Sequence, residues 1–132
     1  MHINLFTDGG SRGNPGDSAI GAVLYDETGH TVAEISEYIG ITTNNQAEYR
    51  ALIAALERAK ELGATTVDVF ADSELMIKQM KGVYRVKNPE LTHRFMEAIT
   101  LARSFSKITF THVRREKNKV ADTLVNKALD AA

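Results

Sequence analysis

Apolar and polar residues alternate through Ile3-Asn4-Leu5-Phe6-Thr7-Asp8 and again through Val67-Asp68-Val69-Phe70-Ala71-Asp72. A period of two sends successive side chains to opposite faces, so residues 2–8 and 66–71 read as strands. Residues 19–25 and 31–39 read as two more, joined by a hairpin turn at Asp26-Glu27-Thr28-Gly29. In the second of these, Val32, Glu34 and Glu37 break the alternation, which leaves room for a bulge or an exposed edge. Residues 107–113 form a fifth strand. Between the first two strands, the four glycines and one proline of residues 9–17 predict a long turn.

Elsewhere the period lengthens. Ala47, Ala51, Leu52, Ala55, Leu56, Ala59 and Leu62 recur at spacings of three and four, predicting a helix from about Asn45 to Leu62 that stops at Gly63. Ser73 caps a short helix, Glu74 to Lys81. After a connector at 82–89, a helix from Pro89 to Phe105 turns Leu91, Phe95, Ile99 and Leu101 or Ala102 inward. A last helix, Asn118 to Leu129, places Val120, Ala121, Leu124, Val125 and Ala128 on one side. The order β-β-β-α-β-α-α-β-α contains a strand–helix–strand unit and so at least one parallel pairing. It predicts an α/β domain with a mixed sheet and helices packed against it.

At 132 residues the chain reads as one domain, residues 1–132, with no internal repeat or linker. With 43% hydrophobic and 25% charged residues it has an ordinary globular balance, and without cysteine it has neither disulfides nor a thiolate metal site. No apolar run approaches the ~18–20 residues of a membrane span, and no signal segment opens the chain, so a cytoplasmic setting is expected. The net charge of −1 hides an asymmetry. Lys78, Lys81, Arg85, Lys87 and Arg94 cluster in one segment, and Arg114, Arg115, Lys117 and Lys119 in another. Acids dominate residues 26–61. Two basic segments fit a phosphate-binding rim, and solvated helix faces explain them equally well.

Four acids carry the candidate chemistry: Asp8, Glu48, Asp72 and Asp122. Asp8 and Asp72 end the two alternating runs, and Glu48 and Asp122 fall in the first turns of two helical patterns. Each has an ordinary explanation alone, as a turn former, a helix-dipole acid or a cap. All four lie at element ends, where distant segments converge. Clustered acids repel each other unless cations neutralise them, which predicts a divalent-metal site of oxygen ligands. Two such ions ~3.5–4 Å apart can clamp the attacking and leaving oxygens of a phosphodiester.

The segments around these acids carry a resemblance. Thr7-Asp8-Gly9-Gly10-Ser11-Arg12-Gly13-Asn14-Pro15-Gly16, Thr42-Thr43-Asn44-Asn45-Gln46-Ala47-Glu48, Asp72-Ser73 and Asn118-Lys119-Val120-Ala121-Asp122 resemble, in order and spacing, the four signatures of type 1 ribonuclease H. The resemblance spans nearly the whole chain. It implies a ribonuclease H-like fold with a five-stranded mixed sheet. It also implies hydrolysis of the RNA strand of an RNA–DNA hybrid with Mg2+ or Mn2+, leaving a 5′-phosphate and a 3′-hydroxyl, by a protein read as a monomer. On that basis Asp8, at the end of the central strand, bridges two ions. Glu48 and Asp72 complete one ligand set and orient water, and Asp122 holds the other ion.

A hybrid-specific enzyme must read the 2′-hydroxyl. Asn14 and Asn44, with the backbone of Gly9, Ser11 and Arg12, are the candidates. Thr43 and Asn14 are implied at a DNA-strand phosphate, and Asn45 is assigned to a cap or loop tie. Glu74 stands where many relatives carry Gln, which puts a contact there in doubt. The connector lacks the basic helix of many bacterial relatives. Tyr84, Arg85 and Lys87 must therefore grip the DNA strand, and weaker, more salt-sensitive binding follows.

Where many relatives place a mobile catalytic His, His112 stands ten residues before Asp122, at the end of the fifth strand. The compact segment 113–118 resembles members in which Arg replaces that His, so Arg115 is favoured and His112 is the alternative. A non-catalytic hybrid-binding module is the runner-up function, and a DNA-acting nuclease or integrase on the same fold is a third reading.

Overall fold

The computed structural model describes residues 1–132. In chain order the elements are β1 (His2–Gly13), β2 (Gly16–Tyr25), β3 (Thr31–Thr42), α1 (Asn44–Glu61), β4 (Thr66–Ala71), α2 (Glu74–Met80), α3 (Pro89–Ala102), β5 (Lys107–His112) and α4 (Lys119–Ala131). A single 3-10 turn, Arg115–Lys117, precedes α4. The strands form one mixed sheet ordered β3-β2-β1-β4-β5. β1 pairs antiparallel with β2 and parallel with β4, and β4 pairs parallel with β5.

The alternation read from the sequence becomes two faces. Ile3, Leu5, Val67 and Val69 point to one side and pack with Leu52, Leu56 and Ala59 of α1. Burying these side chains is the main stabilising term, at ~25 cal/mol per Å² of apolar surface. Tyr49 is fully buried in this core, and its hydroxyl donates to Gln79 Oε1 at 2.7 Å, so the buried polar tip is satisfied. On the other face α4 seats Val125 and Leu129 against Ala19 in a smaller core. No helix is long and apolar enough to cross a membrane.

Several boundaries differ from the sequence reading. Residues 9–17 are not a long turn: β1 runs on to Gly13 and β2 begins at Gly16, so only Asn14 and Pro15 remain between paired residues. Ladder hydrogen bonds supplied by β2 outweigh the poor strand propensity of glycine there. Asp8 is consequently inside β1, not at its end. α1 starts at Asn44, capped by Thr43, whose Oγ1 accepts from Gln46 N at 3.3 Å. Asn45 is therefore not the cap, and Glu48 lies in the second turn. Val120 is 45% exposed and Leu62 37%, because each sits one position off its helix's buried stripe or past its last turn. α3 ends at Ala102, short of Phe105.

Other readings coincide with the structure. β3 is an edge strand, and its register slips past Val32 and past Ile39, which accounts for the broken alternation. Ser73 caps α2, and Asn88 and Pro89 open α3. No helix interrupts the connector between α2 and α3.

Candidate active site

β4 ends where its partner continues. Parallel pairing of β1 with β4 stops at Thr7 and Ala71, and beyond it the sheet opens. Asp72 is the first residue past β4, and Asp8 lies on β1 beside it. In open α/β sheets such a gap past the carboxyl ends of strands is where ligands bind.

Two glycines let two helices reach that gap. A Cβ at Gly9 would lie 2.3 Å from the backbone carbonyl of Ala47, so only glycine admits α1 this close. The reward is Glu48, whose Oε1 accepts from the freed Gly9 N–H at 2.6 Å. On the opposite face Asp8 pairs across the ladder with Gly21, where a Cβ would lie 2.3 Å from the carbonyl oxygen of Ala121. That contact seats the first turn of α4 and brings Asp122 beside Asp8.

Carboxylate oxygens of Asp8, Glu48 and Asp72 lie within 4.8 Å of one another. Asp122 acts on Asp8 from the side of α4. Burial, then the charges of Asp72 and Asp122 and the Asp122 side chain, push the Asp8 carboxyl up to about 8 against a weaker pull from Arg115. Burial, then Asp8 and Asp72, holds Glu48 well above the usual carboxylate range, although the Gly9 N–H and Ser73 favour its charged form. Asp72 is also raised, mainly by burial, with Arg115 and Asn118 opposing. These acids resist ionising together, which is the signature of a site awaiting cations. An all-oxygen donor set fits a hard divalent ion.

The acids open onto a cleft of about 410 Å³ lined by Gly9, Gly10, Ser11, Arg12, Asn44, Arg115, Asn126 and others. Arg115 Nη2 stands 3.7 Å from Asp122 Oδ1. His112 is exposed at the end of β5, outside the lining. Asn44 Oδ1 accepts from Ser11 N at 2.9 Å, and Asn14 Oδ1 from Asn44 N at 3.1 Å. These bonds fix both side chains by their carbonyl ends. Thr43 is spent on its cap and does not line the cleft. Tyr84, Arg85 and Lys87 are exposed on the connector, also outside the lining. Lys78 Nζ sits 5.0 Å above the Tyr84 ring.

Two participants had no role at the site in the sequence reading, where Ser73 was assigned only to the cap of α2. Asn118 is fully buried; its Nδ2 donates to Thr7 O at 2.9 Å, tying the start of α4 to β1, and its side chain favours the charged form of Asp72. Ser73 favours the charged form of Glu48 besides capping α2. For Asn118 the signal was its place at the start of the helix that carries Asp122; for Ser73 it was adjacency to Asp72.

A family model described as reverse transcriptase-like matches residues 6–128. The chain is 45% identical to ribonuclease HI of Halobacterium salinarum over 98% of its own length and 65% of that protein. The crystal structure of that protein superposes with a TM-score of 0.97 at 44% identity, covering 100% of both chains. It is 47% identical over its whole length to the bifunctional protein Rv2228c of Mycobacterium tuberculosis, of which it spans 36%. The crystallised N-terminal RNase H domain of Rv2228c matches with a TM-score of 0.96 at 44% identity, covering 98% of this chain and 100% of that one. LC11-RNase H1, isolated from compost by a metagenomic approach, has been solved in complex with an RNA/DNA hybrid. It is 48% identical, with a TM-score of 0.93, covering 98% of this chain and 97% of that chain. The chain thus spans about a third of the one and about two thirds of the other of these two curated relatives. The family match, the mixed sheet and the acids gathered at its opening agree: this chain belongs to the reverse transcriptase-like family and, within it, to the type 1 ribonucleases H.

Proposed function

We propose that the chain is a metal-dependent endonuclease that hydrolyses the RNA strand of RNA–DNA hybrids, leaving 5′-phosphate and 3′-hydroxyl ends. The observation that carries this reading is the convergence of Asp8, Glu48 and Asp72 within 4.8 Å at the floor of an open cleft. The hybrid bound by LC11-RNase H1 supports the substrate class. Two divalent ions, Mg2+ or Mn2+, would supply an activated water and charge stabilisation at the leaving oxygen. Asp8 is the acid flanked by all the others and so the one suited to shared ligation. Glu48 and Asp72 flank it on the side of α1 and β4, and Asp122 on the side of α4. Glu48, fixed by Gly9 N–H, orients the water-binding side of the site. Arg115 offers a fixed positive charge beside Asp122, where the leaving oxygen emerges. Arginine does not give up a proton near neutrality, so water protonates that oxygen. Asn14, Asn44 and the backbone of Gly9, Ser11 and Arg12 read the 2′-hydroxyls, with the amide ends of both asparagines left for the substrate. Thr43, Tyr84, Arg85 and Lys87 meet the other strand outside the cleft. The protein acts as a monomer in the cytoplasm.

The test is cleavage of a labelled hybrid with Mg2+ by the parent and by Asp8→Asn, beside double-stranded RNA and DNA. Cleavage of the hybrid by the parent and not by the variant is expected. A parent that binds the hybrid and cuts it in neither Mg2+ nor Mn2+ would make the chain a binding module.

A further inference from the structure

β1 and α4 run side by side away from the acids. They face each other at three successive points, Asp8 with Asp122, Gly10 with Val125, and Arg12 with Asp130, and only the last pair is in direct side-chain contact. Asp8, Gly10 and Arg12 alternate onto the same face of β1, and four strand residues advance ~13 Å. The eight helical steps from Asp122 to Asp130 advance ~12 Å, so the two walls stay in step. Between them lies a trough with the carboxylates at one end and a single ion pair at the other. That span exceeds one nucleotide, at a rise of ~3.4 Å per nucleotide along a strand.

The ion pair joins Arg12 Nη2 to Asp130 Oδ1 at 2.6 Å. Its side chains are 49% and 69% exposed, so water competes for both partners and the pair is weak. Arg12 is the cation at the far end of the trough, and Asp130 is the carboxylate that holds it. Guanidinium accepts carboxylate and phosphate in the same planar, two-pronged geometry.

We propose that Asp130 is an internal competitor for the substrate: it holds Arg12 across the end of the trough until a backbone phosphate of the nucleic acid displaces it. This deepens the proposed function and rests on it. The displaced carboxylate returns to water beside a phosphate it repels, so Asp130 weakens binding and shortens the residence of substrate and product. It also keeps Arg12 from engaging isolated anions.

Binding of an RNA–DNA hybrid, measured in the uncut Asp8→Asn background, tests this. Asp130→Asn, Arg12→Ala, their combination and the distant Glu61→Gln would be compared across a salt series, with melting curves to establish folding. Asp130→Asn is expected to tighten binding about two- to fivefold, the worth of an exposed pair. Its dependence on salt should steepen by up to about one ion, because no freed carboxylate takes up a cation. Arg12→Ala should weaken binding and abolish the gain from Asp130→Asn. Equal gains with and without Arg12, or an equal gain from Glu61→Gln, would reduce the effect to net charge and overturn the proposal. A parent that cuts hybrid, with no gain in Asp130→Asn, would overturn the competitor alone. No hybrid binding in any background would overturn the function as well.

Discussion

On the proposed function, the identity of one side chain, Arg115, decides how the leaving oxygen is treated. A histidine there titrates near neutrality and shuttles a proton, whereas arginine supplies only charge and hydrogen bonds. The structure puts Arg115 at the cleft, 3.7 Å from Asp122, and leaves His112 outside it at the end of β5. Arg115→Ala is therefore expected to lower kcat about tenfold, less than the roughly 100- to 1000-fold lost with a buried donor, because Arg115 is largely exposed. His112→Ala should change kcat by less than about twofold, and the parent should show no histidine inflection near pH 6–7. Steady-state cleavage across pH checks both. A larger loss in His112→Ala than in Arg115→Ala would reverse the assignment.

Among the elements, the docking of α1 and α4 onto the sheet decides whether the acids meet. Gly9 and Gly21 are the contact points, each with backbone 2.3 Å from where a Cβ would stand. Backbone cannot rotate aside as a side chain can, so alanine at either position must push a helix outward. Gly9→Ala and Gly21→Ala are each expected to cost ~1–3 kcal/mol, measured by urea unfolding. Displacing α1 moves Glu48 off the Gly9 N–H, and displacing α4 moves Asp122 from Asp8. Cleavage should therefore fall further than the folded fraction does. Gly10→Ala is the control, since its Cβ would meet only a methyl of Val125 at 3.4 Å. Unchanged stability in Gly9→Ala would mean that α1 is not held by this contact.

For the whole molecule, the acid cluster links stability to pH and metal. The carboxyls of Asp8, Glu48 and Asp72 are all raised in the folded state, chiefly by burial. A raised carboxyl binds its proton more tightly folded than unfolded. Its contribution is fully present below the unfolded value near 4 and lost as pH climbs through the folded value, about 8 for Asp8. Without metal, the cluster's contribution should thus fall between pH 4 and 8, by on the order of a few kcal/mol. Excess Mg2+ should restore stability most at the alkaline end, because it binds the ionised acids of the folded state alone. Asp8→Asn should flatten the metal-free decline and blunt the response to Mg2+. Melting curves with EDTA and with Mg2+ across this range measure it. A metal-free protein that is steadier at pH 8 than at pH 5, with the same trend in Asp8→Asn, would show that the cluster does not govern its stability.

Local pattern was enough for the elements and the acids. Alternation fixes a strand's faces and a three-to-four spacing fixes a helix's stripe, so β1, β4, α1 and α4 were legible, as was the place of Asp72 just past β4, whereas Asp8 lies inside β1. The signatures around them gave the family. Limits of elements were less legible where distant chain overrode local preference, as in β1, which β2 carries through the glycines to Gly13. The joining of the acids was decided only in three dimensions. It depends on β4 stopping at Ala71, on Gly9 and Gly21 admitting two helices from opposite faces, and on Asn118 tying the start of α4 to β1. The same is true of Arg12, whose partner Asp130 lies 118 positions away and had no marked role in the sequence. Sequence determines what each segment prefers within a few residues of itself. Contacts between segments depend on backbone clearance and burial, which exist only once the chain has closed on itself.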